Sequence, residues 1–301
     1  MSLLLRRFSS LGLGKPPVSV RSFLLLHSKA ISTSLVQTPP CKIIVAESCG
    51  GDLGKLVVMN FNELKCTELE KKVPLELMND KGTKITIGAS HGWIATLKED
   101  GILRLQDDLN PVASDTYPKR IPLPLKKDNM FRIPGSGGHL IGSWDPYRPN
   151  NNPTFQRLRF TNMPKLTKAK QNLMDMCCRS EHLVESLPTG ETFLVKWYKK
   201  TTKIAKGGIA RMRTKALMVF KIDDEGNAVY THDIGDLNMF LSMSEPFCVS
   251  ATSFPSLYAN YVEIIDFDES GYVILKSSAI KSRSSSYLAP YHIPPQNIVE
   301  S

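Results

Sequence analysis

The densest chemistry in the chain is cationic. Lys196, Lys199, Lys200, Lys203, Lys206, Arg211, Arg213 and Lys215 fall within residues 196–215 without an intervening Asp or Glu, and Trp197 and Tyr198 sit among them. Cationic side chains beside exposed rings bind phosphates and stack on bases, which is the chemistry of single-stranded RNA recognition. The same residues also describe a solvated loop between a strand ending near Tyr198 and one beginning near Ala216, with Trp197 packed inward. Both readings stand at this point.

Other reactive constellations are weaker. Gly135-Ser136-Gly137-Gly138-His139 is Gly-rich, but no Lys-Ser or Lys-Thr follows and no helix begins after it, so neither kind of nucleotide loop is satisfied. His91, His139, His182, His232 and His292 are never spaced i, i+4 and never paired with Cys or a carboxylate at ligand spacing. The cysteines at 41, 49, 66, 177, 178 and 248 contain no Cys-x-x-Cys, and the neighbours Cys177 and Cys178 read as a half-buried strand start whose side chains point to opposite faces. No Gly-x-Ser-x-Gly elbow is present. The sequence therefore predicts no catalytic residue, no cofactor and no metal, and a non-enzymatic protein.

The elements that position these residues read as strands. Alternating apolar segments run over 42–47, 56–60, 64–69, 85–88, 93–97 and 102–106, and again over 182–186, 191–198, 216–222, 228–233, 261–267 and 271–276. The turns between them include a Gly-rich stretch at 48–55, Asp100-Gly101, Asp223 to Asn227 and Asp268 to Gly271. Residues 111–164 are rich in Pro, Asn and Gly, which predicts short strands and long loops. Helical periodicity is almost absent. The fold class expected is all-β, a β-propeller-like array of short antiparallel meanders over residues 41–285, with 286–301 as a tail; a two-sheet sandwich is the alternative. Gly92, Trp93, Asp236, Phe254, Pro255 and Asn260 read as structural: Trp93 supplies buried area, Gly92 permits close backbone approach, and Asp236 and Asn260 tie turns to the backbone.

Residues 1–40 are different. They contain Arg6, Arg7, Lys15, Arg21 and Lys29 but no acid, and on a helix Leu4, Leu5, Phe8 and Leu11 share a side flanked by the two arginines. This composition predicts a disordered, cleavable targeting peptide read by import machinery, for the mitochondrion first and the chloroplast second, with a basic tail of a cytoplasmic protein as the other reading. Arg21-Ser22-Phe23 and Arg6-Arg7-Phe8-Ser9 both fit a processing pattern. The net charge is +9, of which these five cations supply five, so overall charge is a poor argument for nucleic-acid binding. Apolar stretches such as 24–26 and 216–220 fall far short of the roughly 20 residues a membrane helix needs, and no membrane insertion is expected.

Two blocks carry a family resemblance. Gly88 to Leu97, then Leu103 to Asn110 with Pro111, then Ile121-Pro122-Leu123-Pro124, resemble the opening of the plant DUF295 family. His182-Leu183-Val184-Glu185-Ser186, Phe193-Leu194-Val195, Val219 to Asp223, Ile234 to Leu241 and Phe254 to Val262 are similar, in order and spacing, to that family's C-terminal half. The resemblance implies a β-propeller. Many relatives carry an N-terminal F-box that docks a ubiquitin-ligase scaffold, but no Leu-Pro-x-Asp/Glu motif lies in residues 1–40, so the resemblance is to an organelle-targeted branch without it. The function it leaves open is that of a scaffold for a protein partner, with RNA binding through 196–215 as the alternative.

Overall fold

The computed structural model describes residues 37–75, 84–90, 93–98, 103–106, 120–122, 139–143, 154–202, 210–284 and 290–295. The targeting segment therefore lies almost wholly outside the described residues. Its last residues do not: Pro40 is buried and its carbonyl accepts from Phe61 N at 3.0 Å.

β1 (Cys41–Gly50), β2 (Leu53–Asn60) and β3 (Cys66–Pro74) form an antiparallel meander. Gly50 and Gly51 turn β1 into β2 at φ of 116° and 58°, a region that residues with a Cβ avoid, so the Gly-rich stretch turns in fewer residues than its composition suggests. β4 (Lys84–Ser90), β5 (Trp93–Lys98), β6 (Leu103–Gln106) and β7 (Arg120–Pro122) form a second antiparallel sheet in chain order. The Asp100-Gly101 turn lies outside the described residues, between the paired β5 and β6. The Pro-rich region yields short strands as its composition predicts: β8 (Leu140–Ser143) pairs with β9 (Thr154–Arg157), and β10 (Arg159–Thr161) follows.

Two five-stranded sheets hold the main core. After β10 comes α1 (Lys168–Asp175), which the sequence did not announce; Thr167 caps it by accepting from Lys170 N at 3.3 Å, and only Met174 is buried on it. Then β11 (Cys178–Glu185), β12 (Thr192–Thr202), β13 (Arg211–Ile222) and β14 (Asn227–Thr231) run antiparallel, and β10 adds parallel to β14. The next sheet comprises β15 (Leu237–Leu241), β16 (Phe247–Ser250), β17 (Tyr261–Ile265), β18 (Glu269–Ile274) and β19 (Ala279–Ser284), in the order β16-β15-β17-β18-β19, with β15 parallel to β17. These two parallel pairings depart from pure meanders. In each, a strand pairs with a partner from which it is separated along the chain by an odd number of reversing strands: β11 to β13 lie between β10 and β14, and β16 lies between β15 and β17.

The β11–β14 sheet is covered on both faces, which is why its strands read as nearly continuous apolar runs. Phe193, Val195, Trp197, Leu217 and Val219 pack on Leu237, Met239, Leu241, Val262, Ile264 and Val273 of the next sheet. Leu194, Ala216, Met218 and Phe220 face the other way, onto Met174, Leu158 and Ala228. The far face of the β15–β19 sheet meets the first meander through Phe61 and Phe240, whose rings lie edge to face at 5.1 Å. Finally β20 (His292–Ile293) pairs antiparallel with β1, so residues that the sequence assigns to a tail complete the first sheet. The fold is all-β and propeller-like: sheets stacked face to face, with a strand from the C-terminal region joined to the first meander.

Candidate functional site

The basic segment is no simple loop. β12 continues to Thr202 and β13 starts at Arg211, so both arms of 196–215 are paired strand, and only 203–209, with Lys203 and Lys206, lies outside the described residues. A bulge between Tyr198 and Lys199 leaves Lys215 without a register partner, and Lys199 stands opposite Thr214. Beyond the bulge, polar side chains of this hairpin meet the β17–β18 turn of the neighbouring sheet.

That seam is built on Thr214 and Glu269. The indole Nε1 of Trp197 donates to Thr214 Oγ1 at 2.7 Å; the Thr214 hydroxyl in turn donates to Glu269 Oε1, and the Thr214 amide donates to the same oxygen at 2.8 Å. Ser282 Oγ completes the set by donating to Glu269 Oε2 at 3.0 Å. A carboxylate with no exposed surface is thus held by donors from both sheets, the condition under which burying one is tolerable. Alongside, Lys199 Nζ pairs with Asp266 Oδ2 at 2.5 Å and lies 4.5 Å from the Trp197 ring centroid, and Met212 N donates to Asp268 Oδ2 at 2.8 Å. Sequence reasoning missed Asp266, Asp268 and Glu269. The signal was an acidic turn available to answer an acid-free basic segment.

One pair on this seam has the outline of a nucleophile and base. Ser180 Oγ and His182 Nε2, two residues apart on β11, are 3.1 Å from each other, and Asp266 lies within electrostatic reach. Burial against Trp197, reinforced by the Lys199 charge and opposed by Asp266, pushes the His182 imidazole down to about 4. The ring is then neutral at pH 7 but a weak base, whereas general bases work best with a pKa near the operating pH. The arrangement positions Ser180 without activating it.

The remaining cations divide by surroundings. Lys196 is buried on the α1 face, its Nζ 3.9 Å from the Phe160 centroid and 5.4 Å from that of Phe220, and burial lowers its pKa against the nearby Glu181 charge. Lys200 is half-buried with Nζ 3.6 Å from Met176 Sδ, and Arg211 and Lys215 are half-buried. Arg213 is half-buried and donates from Nη2 to Ser284 Oγ on β19. Lys196 and Lys199, the residues nearest the aromatic pair, are thus occupied within the fold.

Among the residues read as structural, Gly92 lies outside the described residues and Trp93 opens β5. Asp236 is exposed, and its Oδ2 accepts from Ser250 Oγ and, at 2.9 Å, from Thr252 Oγ1, which holds its pKa below the usual carboxylate range. Phe254 is buried and Pro255 exposed. Asn260, at φ 64°, accepts from Ile234 N at 3.0 Å and donates to His232 O at 3.0 Å, tying the β14–β15 turn to the start of β17.

A second surface has no counterpart in the sequence reading. Tyr258, Tyr261 and Tyr272 form a row, with centroids 5.3 Å and 5.4 Å apart at interplanar angles of 33° and 36°. Tyr258 is 66% exposed, and its carbonyl accepts from the buried Asn238 Nδ2 at 3.0 Å. The row arises because Tyr261 and Tyr272 are diagonal neighbours on antiparallel β17 and β18, on the face away from the Trp197 core.

Among the described residues no group of three His, Cys, Asp or Glu side chains is arranged to hold a metal. Residues 141–284 match the family model described as the KIB1-4 beta-propeller, a span running from β8 to the end of β19 that includes both five-stranded sheets. No curated protein and no solved structure gives a match. Over residues 141–284 the chain is therefore similar to the KIB-type β-propeller domain.

Proposed function

We propose that the protein is a non-enzymatic scaffold of the DUF295 kind that holds a protein partner inside the mitochondrion after import through residues 1–40. The observation that carries the scaffold reading is the tyrosine row. Tyr258, Tyr261 and Tyr272 offer a large amphipathic surface on a backbone fixed by sheet pairing, and tyrosine is enriched at interface hot spots because it buries much area at little entropic cost. The similarity to a KIB-type propeller supports the same reading, since a rigid array of sheets holds its surface side chains and loops in fixed positions for a partner. The acid-free, arginine-bearing composition of 1–40 supports import.

Proximity labelling tests both parts. The full chain fused to a labelling enzyme should mark mitochondrial proteins, and Tyr258→Ala with Tyr272→Ala should remove a discrete subset while the folded fraction stays unchanged. An unchanged labelling profile would reject the row as the interface. Labels confined to chloroplast or cytosolic proteins would reject the location alone.

An organellar RNA-binding role is the second reading, favoured by one observation. Lys200, Arg213 and Lys215 stand on the two arms leading to Lys203 and Lys206. Lys200→Glu with Lys215→Glu should then flatten the salt dependence of RNA retention. Lys199 makes a poor probe, since reversing it breaks the Asp266 pair. No retention of the full chain on RNA at low salt would dispose of this reading.

A further inference from the structure

Ser284 ends β19 on the exposed edge of its sheet, and the Arg213 guanidinium reaches across from β13 to donate to its hydroxyl oxygen. Among the described residues of this segment, Ser282 Oγ donates to Glu269 Oε2 at 3.0 Å and Ser277 Oγ accepts from Ala279 N at 3.4 Å, so both have other tasks. Lys281 and Arg283, both exposed, precede Ser284 by three residues and by one. Cations at those offsets in an extended edge strand are what a protein kinase with acidic substrate subsites grips.

We propose that Ser284 is a phosphorylation site whose phosphate is received by Arg213. The proposal stands independently of the scaffold reading. In the transfer, a kinase base removes the Ser284 Oγ proton, Oγ bonds to the γ-phosphorus of a nucleoside triphosphate, and the bridging P–O bond breaks to release the diphosphate. The product carries about −1.5 to −2 charges and three acceptor oxygens, which a guanidinium binds in bidentate fashion.

What this does to the fold depends on Arg213. Glu269 stands directly opposite Ser284 in the β18–β19 register with its carboxylate buried, and Asp268, a second acid on the seam, holds the Met212 amide. A phosphate held by Arg213 fastens β19 to β13 and so joins the two five-stranded sheets. The same phosphate without Arg213 adds charge beside two carboxylates and pushes the seam apart.

The sign reversal makes the test. The full chain is first incubated with a purified basophilic kinase and ATP and mapped by tandem mass spectrometry; phosphate should appear at Ser284 and be lost in Ser284→Ala, and its absence from Ser284 would overturn the acceptor role. Phosphoserine is then encoded genetically at position 284, in the wild-type and Arg213→Gln backgrounds. With Arg213 the thermal midpoint should rise by about 2 °C or more, and the second phosphate pKa, read by phosphorus NMR, should fall below its ordinary value of about 6. In Arg213→Gln the midpoint should drop and the pKa return. Equal values in the two backgrounds would overturn the role of Arg213.

Discussion

The Glu263 carboxyl lies on β17 beside Tyr272 in register, within electrostatic reach of Lys42 on β1, and accepts from Asn238 on β15. Burial pushes it up to about 7 from an ordinary 4.5, against the opposing pull of Lys42 and Asn238. Between pH 4.5 and 7 the folded state therefore binds more protons than the unfolded chain, and this group's contribution to stability falls as pH rises through that window. His292 works in the opposite sense: buried beside Phe61 and Phe240, it is pushed down to about 3 from 6.5, so its contribution is present above 6.5 and is lost as pH falls toward 3. His182 has the same sign. Glu263→Gln should therefore leave stability at pH 4 nearly unchanged and raise it at pH 8 by about 1–3 kcal/mol, measured by urea denaturation at each pH. Equal gains at both pH values would show that packing, not ionisation, is responsible. At this scale sequence and structure diverge for a plain reason. The run at 196–215 is acid-free along the chain, but Lys199 and Asp266 are 67 residues apart and meet only when two sheets stack. Side chains that neutralise one another across such separations leave no periodic signal.

Strands β18 and β19 approach more closely than a side chain permits at one point. A Cβ on Gly271 would fall on the Lys281 carbonyl oxygen and within 2.6 Å of Ser282 Cα, both backbone positions on the paired strand. Gly271→Ala should therefore cost about 3 kcal/mol or more by forcing the strands apart. Native-state hydrogen exchange should report the loss in β18 and β19 amides and in Thr214, whose N–H is held by Glu269 at the start of β18. Unchanged protection there would mean that β19 is free to shift. Gly271 also marks what the sequence obscured. It reads as a turn residue because glycine usually is one, while the actual turn lies earlier, between Ile265 and Glu269. The apolar runs of β12 and β13 were legible since both faces of their sheet are covered, and the alternating β17 and β18 were nearly so. α1 was not: eight residues with one buried side chain are too few for a helical period to emerge. Nor were the parallel pairings, because strand partners are chosen by the path of the chain between them.

Closure is a property of the whole chain. Tyr291 is 1% exposed and packs among Ile43, Leu56, Val58 and Val73; its carbonyl accepts from Ile43 N at 3.1 Å, and His292 follows it into register with Lys42. From the other side Met243 N donates to Pro290 O at 3.1 Å, and Ser244 Oγ donates to His292 O at 2.9 Å. Residues 290–293 are thus wedged between β1 and the turn that follows β15. Sheets in such an array hide their edges only when the first and last are joined, so this short segment should govern the cooperativity of the whole. A two-residue strand has no readable alternation, which is why sequence alone places it in a tail. Tyr291→Ala should cost about 3–5 kcal/mol, the range for emptying a buried aromatic site. If the segment closes the array, hydrogen-exchange protection should fall at Ile43 and along β1 and β2, some 250 residues away in sequence, and the unfolding transition should split or broaden. If protection is lost only at 290–295 while β1 keeps its own and unfolding stays a single transition, the strand merely decorates the first sheet and the other sheet contacts must hold the molecule together.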